Sequence, residues 1–160
     1  MELTIDPMNR SSPVPALTDH LGYWLRLVSN HVSAGFARRL ERHGVTVAEW
    51  VVLRELLDVD ALAPSRLADR MGMTRGAISK LADRLVAKAL VDRQDDPQDG
   101  RAQTLALTAA GRRLVPRLAR LADANDAAFF AALASRERAT VEAALRKVVA
   151  QHGLKHRPVD

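Results

Sequence analysis

Apolar positions recur at helical spacing along most of the chain. Leu17, Leu21, Trp24, Leu25, Val28, Val32, Phe36 and Leu40 fall three or four residues apart and predict a long first helix over 17–43. Asp19 near its start and Arg38, Arg39, Arg42 and His43 near its end suit the helix dipole, and Gly44 supplies the stop. Thr46 is placed to cap a second helix with Trp50, Val51, Leu53, Leu56 and Leu57 on its apolar face. Ser65 reads as the cap of a short third helix, with Leu67, Ala68 and Met71 facing in and Gly72 making the turn. Thr74 caps a fourth, whose inward face is Ala77, Ile78, Leu81, Leu85 and Val86. The period then shortens. Residues 90–94 and 101–107 read as strands, the second alternating Ala102, Thr104 and Ala106 against Gln103, Leu105 and Leu107. Between them stands the turn sequence Asp95-Asp96-Pro97-Gln98-Asp99-Gly100. Thr108 caps a long helix to about Leu133 with Leu114, Leu118, Leu121, Ala122 and Phe129 as its stripe, and Pro116 inside it predicts a kink. Ser135 caps the last helix, with Val141, Ala144, Leu145, Val148 and Val149 inward, ending at Gly153. Residues 1–16, with Pro7, Pro13 and Pro15, read as a flexible arm, and 154–160 as a polar tail.

The centre of this pattern carries the chemistry. Ala68, Gly72 and Ile78 have the spacing of a helix-turn-helix: a small residue lets the helices approach, a glycine takes the positive φ of the turn, and a branched residue seals the angle. With the hairpin after it, the stretch predicts a winged helix-turn-helix, a module that lays one helix in the DNA major groove. Thr74, Arg75, Gly76, Ser79, Lys80 and Arg84 fall off the inward stripe of the fourth helix. The first five sit where base edges would be read, through arginine or lysine donating to guanine and serine bonding several edges, whereas Arg84 and Lys88 are placed for phosphates. In the wing, Arg101 stands at the hairpin tip, where it could enter a narrow minor groove, and Asp99 is placed to hold its guanidinium in a fork. Asp92, Asp95 and Asp96 make the rest of the wing acidic, so one aimed arginine is expected rather than a basic hairpin.

Composition narrows the picture without changing it. The chain has 160 residues, 48% apolar but only 4% aromatic, which favours a mainly helical fold. A net charge of +5 favours an anionic partner. The absence of cysteine excludes a thiol sensor, a disulfide framework and cysteine-ligated zinc. His20, His31, His43, His152 and His156 form no H-x-x-x-H pair with a carboxylate, so neither a metal nor another cofactor is expected. There is no phosphate loop, nucleophile elbow or clustered carboxylate pair, so an enzyme is not expected. No apolar run approaches the ~20 residues of a membrane span, and no signal peptide is visible, so the expected location is cytoplasmic.

The run SRLADRMGMTRGAISKLADRLVAKALVDRQDDPQDGRAQTLALTAAGRRL, with HGVTVAEWVVLREL upstream and LASRERATVEAAL downstream, resembles the multiple-antibiotic-resistance regulator (MarR) family over about residues 17–149. The wing pattern D-P-Q-D-G-R followed by L-x-L-T-x-x-G is the most specific part. The resemblance implies a homodimer of winged-helix subunits on a pseudo-palindromic operator in double-stranded DNA. Ser79 and Lys80 then fall where the family reads bases, and Asp99 and Arg101 match its wing pair. Gly100 departs from the family, which often carries a second basic residue there. By the same resemblance, residues 17–44 and 109–153 form the dimerisation region and 45–108 the DNA-binding domain, with two recognition helices about 34 Å apart in the dimer. The family also implies a repressor released by a small aromatic or anionic effector, for which Trp24, His31, Phe36 and Trp50 are the candidate lining. The competing expectation is a winged-helix protein-interaction adaptor without sequence-specific DNA binding.

Overall fold

The computed structural model describes residues 14–96 and 98–159; the arm expected over 1–16 lies mostly outside them. A 3₁₀ turn, Leu17–Asp19, is followed by α1 (Leu21–Glu41), α2 (Val47–Leu57), α3 (Pro64–Met71), α4 (Arg75–Ala87), β1 (Val91–Asp95), β2 (Gln103–Leu107), α5 (Ala109–Phe129) and α6 (Ser135–Gln151). The chain divides into two compact units between His31 and Val32.

The first unit holds the 3₁₀ turn and the first part of α1. The expected single helix from Leu17 is broken at His20, which is extended. Asp19 folds back to accept the Ala16 N–H at 3.0 Å, closing a separate turn before α1 begins. Trp24 donates its indole N–H to the Thr18 carbonyl at 2.9 Å. Leu21, Trp24, Leu25 and Val28, four of the apolar positions that predict this helix, are all exposed in the single chain.

The second unit has the winged-helix core. Leu40, Val52, Leu53, Leu56, Leu67, Ile78, Leu85, Leu105, Val115 and Leu118 are buried completely or nearly so. Burying each such aliphatic side chain is worth about 1.5–3 kcal/mol. Thr46 caps α2 and forms a reciprocal capping box with Glu49. α3 starts two residues earlier than expected: Pro64 occupies its first position and Ala63 its cap, because proline's fixed φ suits a helix start and its missing N–H costs nothing there. Gly72 ends α3 at φ +62°, and Thr74 caps α4 by accepting the Ala77 N–H at 3.2 Å. On the inner face of α4, Ala82 is buried and Val86 is 37% exposed, a small rotation from the expected stripe.

The strands pair antiparallel with Val91 opposite Leu107 and Asp95 opposite Gln103. β2 does not alternate as expected. Thr104, Leu105, Ala106 and Leu107 are all buried, because β2 is flanked by β1 on one edge and bridged by Leu62 on the other, and helices cover it. Thr108 caps α5, which continues through Pro116 and stops at Phe129 rather than Leu133. Gly111 is required here: a Cβ would stand 2.2 Å from the Leu90 carbonyl oxygen. α6 is capped by Ala134, not Ser135; the Glu137 carboxylate accepts the Ala134 N–H at 2.8 Å. No residue of α6 is buried, and its expected inner face (Val141, Leu145, Val148 and Val149) is exposed in the single chain.

Candidate nucleic-acid interface

The surface that could meet DNA is built on α4 and the hairpin. The Thr74 cap starts α4 abruptly and leaves Thr74, Arg75, Gly76, Ser79 and Lys80 exposed along one side of its N-terminal half. Among the described residues, the side chains of Arg75, Ser79 and Lys80 have no hydrogen-bond or ion-pair partner. At Gly76 a Cβ would meet nothing within 4 Å, so a backbone could approach closely. The helix N-terminus adds a partial positive charge at the same place.

The C-terminal half of α4 is differently employed. Arg84 Nε donates to Glu49 Oε1 at 3.1 Å, and Lys88 Nζ to Glu49 Oε2 at 2.7 Å and the Gly44 carbonyl at 2.7 Å. Glu49 is completely buried. Burial would raise its pKa, but the Lys88 hydrogen bond, the Thr46 N–H and Arg84 together bring it below the ordinary glutamate value. The clamp fixes α4 to the start of α2 and the end of α1. Arg84 thus has a structural partner that its sequence position did not reveal, while its terminal guanidinium nitrogens keep their donors. Glu49 itself was legible only as the fourth residue of T-x-x-E, the capping-box signature.

The wing is oriented on α4 by an ion pair between Arg93 and Asp83. At the tip, Asp99 does not form the expected fork with the Arg101 guanidinium. Its Oδ1 accepts the Arg101 backbone N–H at 3.1 Å, and its carbonyl accepts the Ala102 N–H at 2.8 Å. A short side chain two residues back reaches the main chain more readily than the end of an arginine. Asp99 therefore shapes the turn that carries Arg101, and the Arg101 side chain is exposed and unpartnered among the described residues.

The four candidate effector residues fall in different units. Trp24 and His31 belong to the first, both exposed. Trp24 is edge-on to Tyr23 with ring centroids 5.3 Å apart, and His31 Nδ1 lies 2.8 Å from the Leu27 carbonyl oxygen. Phe36 and Trp50 belong to the second and pack edge-to-face at 6.2 Å against its core. Phe36 also lines an open cleft of about 390 Å³ with Val32, Ser33, Ala122, Asp123, Asn125 and Asp126; Trp50 does not. Asn125 fastens that cleft by donating to the Val32 carbonyl at 3.1 Å. Among the described residues no group of histidine, cysteine and acidic side chains could hold a metal, and no helix is long and apolar enough to cross a membrane.

Comparison with known proteins agrees with this architecture. The MarR family model matches residues 43–102. The HTH-type transcriptional repressor MdtR of Bacillus subtilis is 38% identical over 72 residues, which span 45% of this chain and 46% of that protein. The apo crystal structure of MarR from Escherichia coli superposes with a TM-score of 0.72 at 25% identity, covering 86% of this chain and 98% of that one. BpsR of Bordetella bronchiseptica, whose DNA binding is regulated by 6-hydroxynicotinic acid, superposes at 0.74 with 26% identity over 84% of this chain and 96% of its own. The helix-turn-helix, the wing after it and these likenesses together place the chain in the MarR family of winged-helix, DNA-binding transcriptional regulators.

Proposed function

We propose that the protein is a sequence-specific repressor that acts in the cytoplasm as a homodimer on a pseudo-palindromic operator. The observation that carries this is the N-terminal half of α4, capped, exposed and bearing Arg75, Ser79 and Lys80 with nothing bound to them among the described residues. Residues 45–108 are the DNA-binding domain, with Thr74, Arg75, Gly76, Ser79 and Lys80 meeting bases and the adjoining backbone. Arg84 meets phosphate through its free nitrogens, and Arg101, on the turn shaped by Asp99, enters the minor groove. Residues 17–44 and 109–153 form the dimerisation region. The exposed apolar faces of α1 and α6 support this reading, since Leu21 at 73% and Val148 at 52% exposure are costly to leave in water. A small aromatic acid is the proposed effector, by analogy with BpsR, and Phe36, on the open cleft of the second unit, is its candidate contact.

A mobility shift with DNA from the promoter region of its own gene tests the reading. The expected result is a shift of one fragment over random DNA, weakening steeply with salt as phosphate counterions are released. A folded dimer that shifts no fragment specifically at moderate salt overturns it, and a protein-interaction adaptor would behave in that way.

A further inference from the structure

The segment Leu154–Val159 takes no part in the proposed interface, yet it is held by contacts of four kinds. After Gly153, at φ +59°, the chain returns to the helix-turn-helix of its own unit. The Arg157 N–H donates to the Arg70 carbonyl in the last turn of α3 at 3.1 Å, satisfying one of the carbonyls that a helix end leaves open. Arg157 Nε donates to Glu55 Oε1 and Arg70 Nη1 to Glu55 Oε2, both at 2.9 Å. The His156 ring lies over Gly72, where a Cβ would stand 2.6 Å from its Cγ. Val159 packs against the core. The polar tail expected over 154–160 is thus a seated one. Gly72 is fixed twice, by its positive φ and by the ring above it.

We propose that Leu154–Val159 is a clasp on the turn between α3 and α4, with Arg157 and His156 as positioning residues for DNA recognition. Arg70, Gly72 and the Thr74 cap lie within one short stretch, so a segment held at the first two restrains where α4 begins. The ion pairs themselves add little to overall stability, because the Arg157 and Arg70 side chains are 57% and 44% exposed. The restraint acts on the turn instead. The clasp follows directly from α6, so it links the end of that helix to the start of α4. Its effect on DNA rests on the proposed role of α4; its effect on the turn does not.

Three chains test it against wild type: Arg157→Ala, Arg157→Lys and a chain ending at Gly153. Amide hydrogen exchange over 70–78 is expected to quicken about tenfold in Arg157→Ala and in the shortened chain, as a local opening becomes easier. Operator affinity is expected to fall roughly three- to tenfold, with affinity for random DNA and the melting temperature nearly unchanged. Arg157→Lys, which keeps the charge that Arg157→Ala removes, should recover most of both. Unchanged exchange over 70–78 overturns the clasp, and so does an operator affinity that rises on release of the tail. If the wild type does not distinguish operator from random DNA, the reading of α4 fails, and exchange alone still decides the clasp. Should the shortened chain not fold, Arg157→Ala carries the test.

Discussion

The two halves of α4 put similar side chains to different uses. Arg75 and Lys80 in the first half and Arg84 and Lys88 in the second are all basic and all exposed on the helix surface. The first pair has no partner among the described residues, whereas the second converges on the completely buried Glu49. Outward charge on a recognition helix therefore does not identify a DNA contact. What separates the halves is whether an acidic partner waits on the next element, and Glu49 waits only near the C-terminal half.

The largest expected effect comes from removing that partner. Glu49→Ala should cost about 2–3 kcal/mol in urea unfolding, through the lost capping box and two charge-assisted bonds. A loss under about 0.5 kcal/mol, the scale of an ordinary surface substitution, would dissolve the distinction between the halves. Next is the wing: Arg101→Ala should weaken operator binding by about 1–3 kcal/mol while leaving unfolding unchanged, and an unaltered affinity in titration would remove the wing from the interface. The smallest is a pH effect. Folding holds the Glu49 and Glu55 carboxyls below the ordinary value of 4.5, burial being outweighed at Glu55 by Arg157 and Arg70. The stability they contribute is complete above that value and drains as pH falls beneath it. Acid unfolding followed by circular dichroism should show a shallower fall for Glu49→Gln than for wild type; parallel curves would count against it.

The elements were legible because they rest on local chemistry: helical periodicity, the threonine caps at 46, 74 and 108, and the glycine at 72. What was not legible is long-range. The burial of Glu49 depends on residues 35 and 39 positions away. The seat of Arg157 depends on Glu55, 102 positions away. No spacing rule reports such pairs. The strand alternation failed in β2 for the same reason, since the Leu62 bridge and the covering helices are tertiary facts. In the wing, the sequence paired Asp99 with the right residue but the wrong atoms: the main chain of Arg101 lay nearer than its guanidinium. The inward stripe expected of α6 shows the converse case, a pattern that reads as buried on a chain that leaves it exposed.

The division of α4 is tested most directly by measuring Lys80→Ala and Arg84→Ala on operator and on random DNA at one salt concentration. Lys80→Ala should lose about 1–3 kcal/mol on the operator and far less on random DNA, with an unchanged melting temperature. Arg84→Ala should lose affinity about equally on both and melt earlier, because it loosens the clamp on Glu49. Equal losses on both DNAs for Lys80→Ala, or a selective loss for Arg84→Ala, would contradict the account.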